Sequence, residues 1–410
     1  MEKENKLGTM PISKLIINMS LPIIISMLVQ ALYNIVDSVF VSRVCEQALT
    51  AVSLAFPAQN LMIGLATGTA VGVNALMGRA LGAKDQERAN AVAINGVFLA
   101  VVGFAICAVL ALLFAGPFFR SQTQIDYIVE NGTDYLLVCC CGSLGLFCEI
   151  MFERLLQGTG RSILSMYTQG LGAIVNIVLD PIFIFVLDMG VTGAAVATVI
   201  GQFCGCILAL IFNLKKNEEI HLQFRGFRPN WRLVGNIYAI GLPSVIMVAI
   251  GSVMTFCMNK ILIAYHSAKE TAATAFGIYF KLNSFIFMPV FGLNNGVVPI
   301  VAYNYGAQNR LRMVETIKRS TIYASKSGTV TTAAYAKYSW GNYVVINHGD
   351  GYSTLYAHMR YYAVSVGEYV NQGDVIGYVG TTGNSNGNHL HFNVYYNGSL
   401  QNPFDYVSVP

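Results

Sequence analysis

Two sets of residues in this chain have the types and spacings that support chemistry, and they lie in stretches of opposite character. The first set is made of acids, amides and hydroxyls. Ser26, Gln30, Asn34 and Asp37 fall at spacings of four, four and three, and Gln169, Asn176 and Asp180 at seven and four. On a helix each group makes one polar stripe. Both stripes run through apolar sequence, where a charged side chain costs roughly 2.5–3.5 kcal/mol at mid-membrane. An Asp placed there is protonated, paired or holding a cation, so Asp37, Asn176 and Asp180 read as an ion site. Pro181 follows directly, removing a hydrogen bond to the carbonyl of Ile177 and loosening the helix. The plainer reading, that such residues only glue helices together, suits Ser26 or Thr198 taken singly. Glu149, Glu153 and Arg154, near the end of another apolar run, read as an interfacial cluster. The second set is histidine: His358, and the tripeptide His389-Leu390-His391. On a strand His389 and His391 point the same way, about 7 Å apart, so one can bind a metal while the other faces a substrate. A lone pair of this kind is structural as often as functional.

The elements that must position the first set are helices. Apolar stretches long enough to cross about 30 Å of hydrocarbon recur near 15–40, 52–78, 91–117, 132–152, 163–187, 191–214, 233–260 and 272–302. They make eight spans. Seventeen basic residues, among them Lys14, Arg79, Arg161, Lys215 and Arg312, lie on one side and about four, including Arg43 and Arg120, on the other. That asymmetry predicts a cytoplasmic N-terminus and, after eight spans, a cytoplasmic C-terminus. The first apolar run lacks a small-residue cleavage site, so it reads as a span and not as a signal peptide.

An internal repeat is legible as well. Leu21-Pro22 matches Leu242-Pro243 at an offset of 221. At an offset of 224, Thr50-Ala51 matches Thr274-Ala275, Gly68 and Gly72 match Gly292 and Gly296, and Gly82-Ala83 matches Gly306-Ala307. Glycines four apart let membrane helices approach closely, so both copies are expected to use the same packing face. The first copy takes six helices to reach Lys216; the second stops after two.

Composition follows the same division. The chain is 54% hydrophobic and 11% charged, which excludes an ordinary soluble protein. Thirteen of its 22 Tyr follow residue 320, whereas all nine Cys precede it and sit in apolar runs as small hydrophobes. The net charge of +4 follows membrane topology, so no nucleic-acid partner is implied. After Ser327 the pattern turns to short segments between Gly and Asn turns. Strands are predicted over 343–346, 353–357, 375–379 and 389–394.

Leu32-Tyr33-Asn34-Ile35-Val36-Asp37, Asn176-Ile177-Val178-Leu179-Asp180-Pro181, Gly193-Ala194-Ala195 and Phe291-Gly292-Leu293-Asn294-Asn295-Gly296 resemble multidrug and toxic compound extrusion (MATE) transporters over about residues 7–319. The resemblance implies two six-helix lobes, alternating access, and export of cationic or amphipathic drugs or toxins across a bacterial plasma membrane against Na⁺ or H⁺. By motif match, Asp37, Asn176 and Asp180 would couple to the cation, with Thr198 a weaker member. Gly341-Asn342-Tyr343, His348-Gly349, Leu355-Tyr356-Ala357-His358, Gly380-Thr381-Thr382-Gly383-Asn384-Ser385 and His389-Leu390-His391-Phe392 resemble lysostaphin-type zinc metallopeptidases, which cut peptidoglycan, over about 320–410. That resemblance makes His391 a zinc ligand. It gives His358 and His389 the polarising of water and the stabilising of the tetrahedral intermediate, and it leaves His348 as a non-ligand in a turn. The family's other two ligands come from an upstream His-x-x-x-Asp. Here only His266 with Glu270, in a transporter loop, comes near that pattern, so the Zn²⁺ site is incomplete.

The expected fold class is therefore an all-α polytopic membrane protein followed by a small all-β domain truncated at its N-terminal side. Residues 1–219 would form a first lobe, 220–319 two helices of a second, and 320–410 the partial peptidase domain. The interrupted repeat, the missing ligands and a cytoplasmic C-terminus facing away from peptidoglycan all imply a chimera. The leading functional expectation is a transport-impaired antiporter with an inactive C-terminal module. The alternatives are a membrane-tethered peptidoglycan endopeptidase and a catalytically dead wall-hydrolase regulator.

Overall fold

The computed structural model describes residues 5–224, 227–264, 269–318, 321–385 and 390–406. The chain divides into two compact units, Met1–Arg310 and Leu311–Pro410. The first is helical: α1 (Lys6–Thr9), α2 (Ile12–Ser42), α3 (Glu46–Gly82), α4 (Gln86–Arg120), α5 (Asp126–Cys141), α6 (Leu144–Gly158), α7 (Ser162–Pro181), α8 (Gly190–Lys215), α9 (Trp231–Ala264) and α10 (Lys269–Gly306). Among the described residues, six helices are long and apolar enough to cross a bilayer, and the pair α5 with α6 makes a seventh. The 38 residues of α10 exceed the length an eighth crossing requires.

Two departures from straight helices matter. The predicted fourth span is broken between α5 and α6 and bends by 45°. Gly142 and Ser143 sit at the break, where the Ser143 hydroxyl donates to the Cys140 carbonyl at 2.7 Å. A Cβ on Gly142 would press on the Val199 side chain of α8, so the bend also serves close helix packing. The second departure follows Pro181, where α7 passes into a π-helical turn, Ile182–Val186. A proline cannot continue the regular ladder, and a wider turn accommodates the lost bond next to Asp180.

The repeat appears in space as reciprocal contact. Gly68 and Gly72 of α3 lie against Val245 and Ile237 of α9, while Gly292 and Gly296 of α10 lie against Ile24 and Ser20 of α2. Each glycine pair thus packs on the first long helix of the other copy. A Cβ on Gly82 would strike the Tyr303 carbonyl, and one on Gly306 would strike the Arg79 carbonyl. Thr50 and Thr274, 224 residues apart, share a hydrogen bond of 2.8 Å between their hydroxyls. Equivalent residues that touch one another lie on a local two-fold axis.

After α11 (Arg310–Lys318), the second unit is a single antiparallel sheet of eight strands. They are β1 (Thr321–Tyr323), β2 (Gly328–Ala336), β3 (Gly341–Gly349), β4 (Tyr352–Tyr362), β5 (Tyr369–Val370), β6 (Val375–Val379), β7 (His391–Tyr396) and β8 (Ser399–Gln401). The order runs β1-β6-β4-β3-β2-β5, with β7 between β4 and β8. Ile322, Val330, Val344, Ile346, Tyr356, Met359 and Ile376 form the core. β4 changes partner along its length: Tyr352–Ala357 pairs with β7, and Met359–Tyr362 with β6. His358 sits at the change with φ +60°, a strained value for a residue with a Cβ.

Candidate functional site

In the helical unit, α2, α7 and α8 bring the first set of polar residues together. Asp37 is 5% exposed, Asn176 2% and Asp180 fully buried. The Asn176 amide donates to Asp180 Oδ1 at 3.2 Å and to the Thr198 hydroxyl at 3.2 Å, tying α7 to α8. Asp37 lies within electrostatic reach of Asp180 from the facing α2. Asp180 Oδ2 and Asn176 Oδ1 are buried and accept no hydrogen bond among the described residues. Buried acceptors without donors are costly. Oxygen atoms arranged in this way suit a hard cation or a proton.

The other members of the stripes take different places. Gln30 reaches the Tyr33 hydroxyl. Asn34 is exposed and donates to the Gln30 carbonyl at 2.9 Å, so it serves its own helix and does not join Asp37. Ser26 is buried and caps back onto the Ile23 carbonyl. Gln169 faces α6: with its amide turned so that the nitrogen points at Glu153, the orientation that satisfies both groups, it donates to both Glu153 oxygens at 3.1 and 3.0 Å. Glu153 Oε1 also accepts from the Thr168 hydroxyl at 2.7 Å.

This last group corrects the expectation from sequence. Glu149 and Glu153 are 4% and 8% exposed, so they do not form an interfacial cluster; they face inward between α6, α7 and α8. Arg154 donates to Gln157 at 3.0 Å, and Gln157 to Ser165 at 3.2 Å. The signal that could have found them is the fourfold spacing Glu149, Glu153, Gln157, a stripe as regular as the one on α2.

In the β unit, the backbone bend at His358 turns its ring toward His391, with ring centroids 5.8 Å apart. Trp340 lies against His391 at 4.7 Å between centroids, and its carbonyl accepts from the His358 amide at 2.8 Å. His358 Nδ1 donates to the Thr382 carbonyl at 2.9 Å, which fixes its tautomer. His391 Nε2 meets Asn393 Oδ1 at 3.0 Å. The Gly-Thr-Thr segment supports this arrangement. The Thr382 hydroxyl accepts from the Asn342 amide and donates to the Met359 carbonyl, at 2.8 and 2.6 Å, and a Cβ on Gly341 (φ +61°) would collide with the Thr382 backbone. His389, which strand spacing pairs with His391, lies outside the described residues, as does His266. The predicted strand over 389–394 is observed as β7 from His391.

His348 is a strand residue and not a turn residue. It bridges the Ser327 carbonyl at 3.0 Å and the Thr354 hydroxyl at 2.6 Å. From Thr354 the chain of hydrogen bonds continues to the Tyr356 hydroxyl and to Ser325, so its role is structural. Burial pushes the His348 imidazole below its ordinary value.

A catalytic zinc requires about three protein ligands and an open position. Among the described residues no group of three His, Cys, Asp or Glu is placed to hold a metal ion. Among the described residues His358 and His391 are two ligands at most, too few to fit that ion.

The chain is similar in sequence and fold to known proteins. The MatE family model matches residues 22–182 and 243–338, and the model for Peptidase family M23 matches 312–403. Where the two overlap, β1 and β2 place residues from 321 onward in the sheet. The multidrug export protein MepA of Staphylococcus haemolyticus (strain JCSC1435) is 29% identical over 308 residues, which is 75% of this chain and 67% of that protein. MepA of Staphylococcus aureus (strain MRSA252) is 27% identical over 309 residues, 75% of this chain and 68% of its own. A crystal structure of MATE in complex with MaL6 superposes with a TM-score of 0.70 at 28% identity, covering 78% of this chain and 72% of that one. A MOP superfamily transporter from Pyrococcus furiosus gives a TM-score of 0.70 at 28% identity, covering 77% and 70%. The chain belongs to the MatE family, with a C-terminal portion that matches Peptidase family M23.

Proposed function

We propose that this chain is a multidrug efflux antiporter. It would export cationic or amphipathic compounds across a bacterial plasma membrane in exchange for Na⁺ or H⁺, with its N-terminus cytoplasmic. The observation that carries this reading is the buried network of Asp180, Asn176 and Thr198 facing Asp37, with two acceptor oxygens held out of water. A coupling cation satisfies those oxygens, and its departure leaves a cost that a shift of the π-turned end of α7 relieves. The relatives named for multidrug export support the same substrate class.

Among the described residues only two helices of membrane-crossing length, α9 and α10, and the nine-residue α11 follow the first six-helix copy before the sheet begins, so the second wall of a two-lobe cavity is partial and turnover is slow. The β unit is read as inactive on peptidoglycan: among the described residues no third His, Cys, Asp or Glu joins His358 and His391 to hold a zinc ion. Its half-buried Trp340 and His391, packed beside the buried His358, keep the aromatic and hydrogen-bonding groups of a binding module for wall peptide.

The test is ethidium efflux from a drug-hypersensitive bacterium expressing the chain. Slow efflux that disappears in Asp180→Asn at equal membrane abundance is the expected result. Equal efflux in the two proteins would overturn the reading.

A further inference from the structure

The carboxylate network between α6, α7 and α8 is not accounted for by the site at Asp180. Glu153 is fully engaged by Thr168 and Gln169. Glu149, one turn away and 4% exposed, accepts no hydrogen bond and forms no ion pair among the described residues. Its side chain is aimed into a slot made by three glycines. A Cβ on Gly205 would collide with Glu149 Oε1, and one on Gly172 would lie 3.5 Å from it. Across the slot, Gly172 and Gly201 face one another, each turned toward the other's carbonyl. The Thr168 carbonyl borders the same space, 3.3 Å from the Gly205 Cβ position. The slot is therefore lined by acceptors: one carboxyl and the three backbone carbonyls of Thr168, Gly172 and Gly201.

We propose that Glu149 is a proton-binding site, distinct from the Asp37–Asn176–Asp180 site, in which a protonated carboxyl donates into the slot beneath Gly201 and Gly205. A buried carboxylate with neither donor nor counter-ion is far too costly to remain ionised. Glu153, four residues on and itself buried, adds like charge; the pair carries at most one negative charge comfortably. The groups acting on Glu149 are Glu153 and, across α8, Cys204. Glu149 in turn acts on Cys206 of α8 and on Tyr33 of α2, which also senses Asp37. Arg154 faces Glu153, and α7 presents only the neutral Thr168 and Gln169. On release the O–H bond breaks, its electron pair stays on the carboxylate, and a water molecule takes the proton as hydronium.

Thr168, Gly172, Asn176 and Asp180 recur every four residues along α7, so the slot is continuous with the Asp180 site: Asn176 Cβ lies 3.3 Å from the Gly201 Cβ position. Glu149 thus lies on a polar track leading from Asp180 toward the α6–α7 turn. Its part in coupling rests on the transport reading; its protonation does not.

Infrared difference spectra of the purified full chain, taken between acidic and neutral buffer, test the site. A protonated-carboxyl stretch that is lost in Glu149→Gln and kept in Asp180→Asn is expected, and Glu149→Asp should shift its frequency. Spectra of Glu149→Gln and Glu149→Asp identical to wild type would overturn the proposal, whether or not the protein moves any drug. Ethidium binding measured on the same samples reports the transport reading separately. Its absence in wild type would remove that reading and leave the proton site standing or falling on the infrared band alone.

Discussion

The two candidate sites of this molecule are built in contrasting ways. In the helical unit, α2, α7 and α8 deliver Asp37, Asn176, Asp180 and Thr198 from positions up to 161 residues apart to one buried point. Asp180 Oδ2 and Asn176 Oδ1 are buried there without a donor among the described residues. In the β unit, His358 and His391 meet across one pair of neighbouring strands, and their visible bonds go to Thr382 and Asn393. The first site therefore holds two buried acceptor oxygens. The second brings two histidines together, and among the described residues no third metal-ligating side chain joins them. The first set is drawn from three helices of one repeat, whereas the second rests on two neighbouring strands and the loop that carries Thr382.

The largest effect that sharpens this contrast is expected in the helical unit. Asp180→Asn removes the charge while keeping the size, and cation-dependent drug release should weaken by about tenfold or more, corresponding to roughly 1.4 kcal/mol of coupling. Radiotracer release from proteoliposomes checks it. Metal analysis breaks the comparison from the other side. The purified chain, equilibrated with Zn²⁺ and desalted, should hold far less than one zinc, with His391→Ala indistinguishable from wild type. One tightly held zinc per chain would restore the hydrolase reading.

A middle-sized effect tests the packing beneath both repeats. Gly82→Ala and Gly306→Ala each drive a Cβ into a carbonyl of the other copy, so each should cost about 1–3 kcal/mol. The two losses of thermal stability should be similar because the contacts are reciprocal. A large loss in one alone would show that the local two-fold does not govern the interface.

The smallest effect belongs to the β unit and depends on pH. Burial holds the His348 imidazole below its ordinary value of 6.5, so the unfolded chain takes up the proton more readily than the folded one. The neutral histidine's contribution is present above about pH 6.5 and is lost as pH falls through the lower folded value. Amide exchange in β3 and β4 should quicken a few-fold on acidification in the wild type and by less in His348→Gln.

Periodicity is legible wherever membrane or sheet imposes it. All eight apolar spans correspond to helices, and the segments 343–346, 353–357 and 375–379 lie in β3, β4 and β6. The glycine matches at the offset of 224 point to a shared packing face, which appears as the reciprocal α3–α9 and α10–α2 contacts. The break between α5 and α6 is hidden in the sequence because hydrophobicity continues across Gly142 and Ser143 while the backbone direction does not. The edge strands β1, β5 and β8, only two or three residues long, carry too little alternation to be read. At the sites, local spacing puts Asn34 and Gln169 in the wrong company. Side-chain direction sends Asn34 to its own backbone and Gln169 across to Glu153. Glu149 and Glu153 look like surface residues in the sequence because acids near the end of an apolar run usually are. The glycines of α7 and α8 that admit Glu149 are far away in sequence.

Cation-coupled export through Asp180 is tested most directly by the ethidium affinity of the purified chain. It is titrated with Na⁺ at constant pH and with H⁺ at constant Na⁺, in wild type and Asp180→Asn. Linkage requires the coupling cation to weaken ethidium binding by the same factor that ethidium weakens cation binding. One of the two cations should lower wild-type affinity by about tenfold or more and leave Asp180→Asn unmoved. Superimposable titrations of the two proteins would contradict coupling at this site.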